Sequence, residues 1–190
     1  MKTFFLCVLL LSSCYCFSQC PPEGSAKNPK EQALNVEKNK PILATRMLPK
    51  KIALNRIIKK VNKPDHDKFT EGDYVSVTGY IVDFKEEGGE SCNCGKAEKS
   101  KKTGDVHINF GLVPDAAKKN CMIVEITPSF KKSHPDYETL LQKGGKVTIT
   151  GYLLYDFLHE ASSLSTCTSC ANAWRKTCWE IHPIASITPQ

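Results

Sequence analysis

The sequence predicts a mainly β fold, a small barrel of five strands with one short helix inserted between the third and fourth. Three observations lead there. From Asp73 onward apolar residues recur with a period of two, in five separate runs. Glycines stand inside the first and fourth of these runs, at Gly79 and Gly151, where a tightly coiled small barrel needs its bends. The only helix-like stretch within the strand region lies between Ser133 and Gly145.

Residues 1–18 read as an export signal. Lys2 supplies a short positive region, and Thr3–Leu11 is an apolar run too short to span a bilayer. Two processing sites compete. Leu11-Ser12-Ser13-Cys14 has the form of a lipobox, which would end the signal before Cys14 and anchor the chain to a membrane by lipid. Cleavage before Gln19 would release it instead. The mature protein is then periplasmic, lipid-anchored or secreted. No later run of about 18 apolar residues follows.

Residues 19–45 carry Pro21, Pro22, Pro29 and Pro41 among Lys, Asn, Glu and Gln, and read as a polar tether unable to bury a core. Residues 46–71 form an amphipathic helix and linker. Ile52, Leu54, Ile57, Ile58 and Val61 fall near helical spacing after Pro49, which predicts a helix packed on the domain. The domain proper spans residues 72–190.

Its first strand, Asp73–Phe84, turns Val75, Val77, Gly79 and Ile81 inward. The second, Val106–Leu112, does the same with Val106, Ile108 and Phe110, and the third, Cys121–Thr127, with Met122, Val124 and Ile126. Ser133-His134-Pro135-Asp136 opens the helix, with Pro in its first turn, and Gly144-Gly145 closes it. The fourth strand, Lys146–Tyr155, points Val147, Ile149, Gly151 and Leu153 inward, and the fifth, Cys178–Ile187, Trp179 and Ile181.

Five strands in this order, with the helix in this position, resemble an OB-fold over residues 72–188. An SH3-like barrel and a β-sandwich also accommodate the strand count. Two local motifs, Gly151-Tyr152-Leu153-Leu154-Tyr155-Asp156 and Trp179-Glu180-Ile181-His182-Pro183, are similar to ones in uncharacterised exported bacterial proteins, a resemblance that implies no activity. An OB-fold implies a strand order of 1-2-3-5-4, with the loops between strands one and two and between strands four and five flanking the ligand face.

That order makes strands two, three and five neighbours. With their apolar residues inward, the pleat places Asp105, His107 and Asn109, then Glu125, then Glu180 and His182 on one outer face. Imidazoles and carboxylates at this density suit a divalent ion such as zinc, or a general acid and base. His107, Glu125 and His182 are the candidate ligands. The plainer alternative is cross-strand pairing of polar surface residues.

The same face argues against single-stranded nucleic acid, which needs stacking aromatics in a positive groove. The formal charge of +6 comes from lysine; only Arg46, Arg56 and Arg175 are arginines. Lysine binds phosphate as a point charge and lacks the bidentate fork. With one arginine in the domain, nuclease chemistry has little electrostatic support. No Gly-x-Ser-x-Gly elbow, phosphate loop or His-Glu-x-x-His helix is present.

The two longest loops each carry a cysteine pair, Cys92/Cys94 and Cys167/Cys170. An exported chain favours disulfides; Cys167-x-x-Cys170 also has structural-zinc spacing, so a four-cysteine zinc site is the alternative. Cys121 and Cys178 open strands that would be parallel neighbours, which suggests a third bridge. Asp156, His159, Trp174 and Arg175 line the second loop. Two functions therefore compete: a binding module holding an unidentified ligand between the cysteine-bearing loops, or a metal-binding protein or metal-dependent hydrolase using the His/Glu cluster.

Overall fold

The computed structural model describes residues 20–42, 48–59, 64–95, 104–167 and 170–190. The export signal, its two processing sites and Val61 lie outside the described residues.

A closed mixed barrel forms the body. Strands β1 (Lys50–Lys51), β2 (Tyr74–Glu86), β3 (Val106–Gly111), β4 (Met122–Ile126), β5 (Lys146–Tyr155) and β6 (Trp179–Pro189) follow the order β1-β2-β3-β4-β6-β5, and pairing of β2 with β5 closes the ring. The two-residue β1 is an addition beside β2, so the barrel itself has five strands in the OB-like order. All pairs of that barrel are antiparallel except β4 with β6.

The inward residues expected from the period-two pattern fill one core. Val77, Ile81, Ile108, Phe110, Val124, Ile149, Trp179 and Ile181 are all fully buried in it. Gly79 and Gly151 stand where neighbours approach closely. A Cβ on Gly151 would lie 2.5 Å from Ile181 Cγ2 and 2.6 Å from Pro183 O; one on Gly79 would meet Leu54 and Phe110 at 2.8 Å.

Three elements depart from expectation. The helix before the barrel, α2, covers only Leu54–Ile58, but Ile52, Leu54, Ile57 and Ile58 are buried against the core as the apolar spacing requires. The inserted helix, α3, runs Pro128–Ser133 and not from Ser133 onward. Thr127 caps it by accepting from Phe130 N at 3.2 Å, and Pro128 takes the first turn. His134 is its C-cap, so Pro135 follows the helix end, a common place for a residue that cannot continue one. A 3-10 turn at Tyr137–Leu140 fills the remaining chain.

The third departure is the largest. Within the expected tether, Pro29–Lys38 forms a helix, α1, which buries Leu34, Asn35 and Lys38. Asn28 caps it by accepting from Glu31 N at 2.8 Å, and Pro29 opens the first turn. Composition failed to reveal this because docking is mostly polar. Asn35 Nδ2 donates to Glu23 O and to Ser91 Oγ, Ser91 Oγ donates to Glu31 Oε1 at 2.6 Å, and Asn39 Nδ2 donates to Cys92 O at 2.8 Å. A disulfide between Cys20 and Cys94 ties the start of the arm to the same loop.

Candidate metal centre

Strand register brings the candidate residues together. On β3 and β4, His107 stands opposite Glu125. Between the parallel β4 and β6, Ile123 pairs with Glu180 and Val124 with Ile181, so the next step of the pleat sets Glu125 beside His182. Asp105, His107, Glu125, Glu180 and His182 thus do share one face, as read from the sequence.

That face is not the solvent-facing surface the pleat alone suggested. Glu125 is 1%, His182 2% and His107 4% exposed, and Asp105, Asn109 and Glu180 are buried as well. The cover is the arm carrying α1 together with the loop holding a 3-10 turn at Ser91–Asn93. Glu125 does pair with histidines across the sheet, but the pairs are buried and not on the surface.

Glu125 sits at its centre. Its Oε1 lies 2.7 Å from His107 Nε2 and its Oε2 lies 2.5 Å from His182 Nδ1. Glu90 Oε1 stands 3.2 Å from the same His107 nitrogen, and Asp105 Oδ2 is 4.0 Å from His182 Nε2. These approaches are short without being aligned as hydrogen bonds. Both ring nitrogens of His107, His182 Nδ1, both Glu125 oxygens and Asp105 Oδ1 are buried with no hydrogen-bond partner.

The electrostatics are those of a negative pocket. Burial alone would lower the pKa of both histidines, yet Glu125 and its neighbours reverse this, holding His107 at about 11 and His182 at about 10. Glu125 is itself held well below the usual carboxylate range: burial opposes ionisation, but His107, Lys38 and His182 outweigh it. Asp105 is pushed up to about 7, first by burial and then by Glu125 and Glu90, with His182 opposing.

Residues that sequence reading kept apart join this network. Lys38 Nζ, at the end of α1, lies 3.2 Å from Asp156, 3.5 Å from Glu90 and 3.9 Å from Glu180. Arg175 reaches Glu180 at 3.0 Å, and His159 reaches Asp156 at 3.0 Å. Trp174 packs edge-on against His159. Of the four expected ligand-loop residues, Asp156 and Arg175 are thus buried ion-pair partners, and Lys38 of α1 bridges Glu90 to Asp156. Lys38 and Glu90 were not foreseen. Asn28-Pro29 as a cap and first turn, with a lysine nine residues after Pro29, was the available signal.

One cysteine cluster pairs within itself, the other pairs with the N-terminal arm, and the four-cysteine zinc alternative is not realised. Cys94 bonds Cys20, and Cys167 bonds Cys170. Three of the four sulfurs proposed for zinc are thereby consumed. Cys92, Cys121 and Cys178 are free and buried. The Cys121–Cys178 bridge does not form even though the strand register is right. Cys121 Sγ faces Ala117 O at 3.7 Å, whereas Cys178 Sγ faces Thr166 Oγ1 at 3.5 Å. Two disulfides fit a non-reducing environment. Among the described residues no helix is long and apolar enough to cross a membrane.

Comparison of the chain with protein-family models, with curated proteins and with solved structures gives no match.

Proposed function

We propose that this is an exported metal-binding protein, in which the outer face of the barrel and the N-terminal arm enclose a divalent cation held by His107, Glu125 and His182. Asp105 and Glu90 stand within reach as further ligands. The observation that carries this reading is the convergence on Glu125: two imidazoles approach its two oxygens at 2.7 and 2.5 Å, all of them buried, with Glu90 and Asp105 beside them. Buried imidazole and carboxylate donors gathered this closely are the ligand types that a divalent ion such as zinc takes.

The donor set favours zinc or a neighbouring transition ion. Calcium and magnesium prefer all-oxygen shells, whereas imidazole mixed with carboxylate suits zinc, copper, iron and nickel. The enclosure favours holding the ion over turning over a substrate, since catalytic zinc sites keep an open position and structural ones are closed. Export is supported by the leader-like first 18 residues and by the disulfides.

Elemental analysis of the purified protein tests the reading. Zinc or another divalent ion at near-stoichiometric level is expected, lost in the His107→Ala/His182→Ala double variant. Trace metal only, after incubation with excess zinc, contradicts it.

A further inference from the structure

We infer that the centre holds two divalent cations, bridged by the carboxylate of Glu125. This rests on the metal-binding reading above and goes beyond it in number, ligand assignment and geometry.

The ligands divide into two sets. Single donor atoms of Glu90, His107 and Glu125 lie within 4.8 Å of one another, and so do those of Asp105, Glu125 and His182. Glu125 is the one residue common to both. Its oxygens are already divided between them, Oε1 toward His107 and Oε2 toward His182. A carboxylate serving one ion in a bidentate manner would turn both oxygens to the same side. A carboxylate whose two oxygens face separate imidazoles has the disposition of a bridge, which in two-metal sites joins ions about 3.5–4 Å apart. Each ion would then have one imidazole, one oxygen of Glu125 and one terminal carboxylate, Glu90 for the first and Asp105 for the second.

The unpaired atoms are shared between the two sets. His107 Nε2 and Glu125 Oε1 lack hydrogen bonds in the first, and His182 Nδ1, Glu125 Oε2 and Asp105 Oδ1 lack them in the second. A single ion in one set would leave the imidazole–carboxylate donors of the other without an ion. Cys92 adds a third link, because its sulfur lies 3.3 Å from Glu90 and 3.9 Å from Asp105, the two terminal carboxylates.

Native mass spectrometry of the full mature chain, stripped with chelator and reloaded with zinc, tests this. The expected result is two ions per chain. His107→Ala and His182→Ala are each expected to retain one, and Glu125→Gln to lose both or bind them far more weakly, with circular dichroism confirming the fold. One ion at saturation overturns the bridged pair while leaving the metal-binding reading intact; no ion overturns both. Two ions indifferent to all three substitutions overturn it as well, by placing them elsewhere. Loading with manganese adds an arm that needs no variant. An exchange-coupled electron paramagnetic resonance signal is expected, and two isolated six-line spectra contradict a shared carboxylate.

Discussion

Glu125 is the residue on which the centre depends. Among the described residues it alone contacts both buried imidazoles at 2.7 Å or less. Removing its charge while keeping its shape, by Glu125→Gln, leaves His107 and His182 facing each other's fields with the central anion gone. Breaking a buried pair in this way costs about 3–5 kcal/mol. Urea denaturation in the presence of chelator is expected to show a loss of that order, and a loss below about 1 kcal/mol would mean the pairs contribute little. Gly151 is the packing counterpart. Gly151→Ala places a methyl group against Ile181 and the Pro183 carbonyl at distances that atoms do not share, so it is expected to destabilise by about 1–3 kcal/mol in the same assay. An unchanged midpoint would show that β5 and β6 can separate locally at no cost. Both residues were legible in the sequence for different reasons. Gly151 interrupts an alternating strand, and Glu125 sits at the polar phase of the next one. Burial of Glu125 was not legible, because strand alternation reports which side a residue takes and not what later covers that side.

At the scale of elements, the barrel and the arm obey different physics. The five strands announce themselves by apolar alternation, and every inward residue expected from it lies in the core or, for the two glycines, at a close approach. The arm has no such stripe. Its helix docks through Asn35, Asn39 and Lys38, so a reading based on apolar burial assigns it to solvent. The Cys20–Cys94 bridge closes a separation of 74 residues, and the loop-entropy argument gives it about 4 kcal/mol. Cys94→Ser is accordingly expected to lower stability by about 2–4 kcal/mol and to open residues 20–42 to limited proteolysis, as followed by mass spectrometry. An arm that resists cleavage in this variant would show that its polar contacts suffice. Asp83 tests the barrel's own rim. Hydrogen bonds from Lys118 and Lys143 hold its carboxyl down at about 2, below the roughly 4 of an unfolded aspartate. A lowered folded-state value means that its contribution is present above about pH 4 and is lost as the pH falls toward 2. The stability gap between the native chain and Asp83→Asn is expected to close over that interval. A gap independent of pH contradicts the pairing.

For the whole molecule, the centre is where two parts of the chain meet. β3, β4 and β6 supply His107, Glu125 and His182; the loop before β3 supplies Glu90 and Asp105, and the arm caps the assembly with Lys38. An ion held there binds the folded form and not the unfolded one, so it couples metal content to global stability. Free zinc at a hundredfold excess over its dissociation constant adds about 2.7 kcal/mol. That is expected to raise the melting temperature by roughly 5–10 °C for a domain of this size, reversed by chelator; calorimetry with and without zinc reads it directly, and identical transitions would contradict the coupling. The parts of this arrangement that escaped sequence reading share one cause. A strand's partners follow from its pattern, but the docking of a polar helix 70 residues upstream follows from hydrogen bonds and a disulfide that no periodicity encodes. Crystals of the zinc-loaded protein measured at the zinc absorption edge show whether a cation lies against Glu125 beside the imidazoles of His107 and His182. Anomalous density at the Glu125 carboxylate, next to these histidines, is the predicted result. An ordered Glu125 hydrogen-bonded to two imidazolium rings, with no anomalous peak beside it, would contradict it.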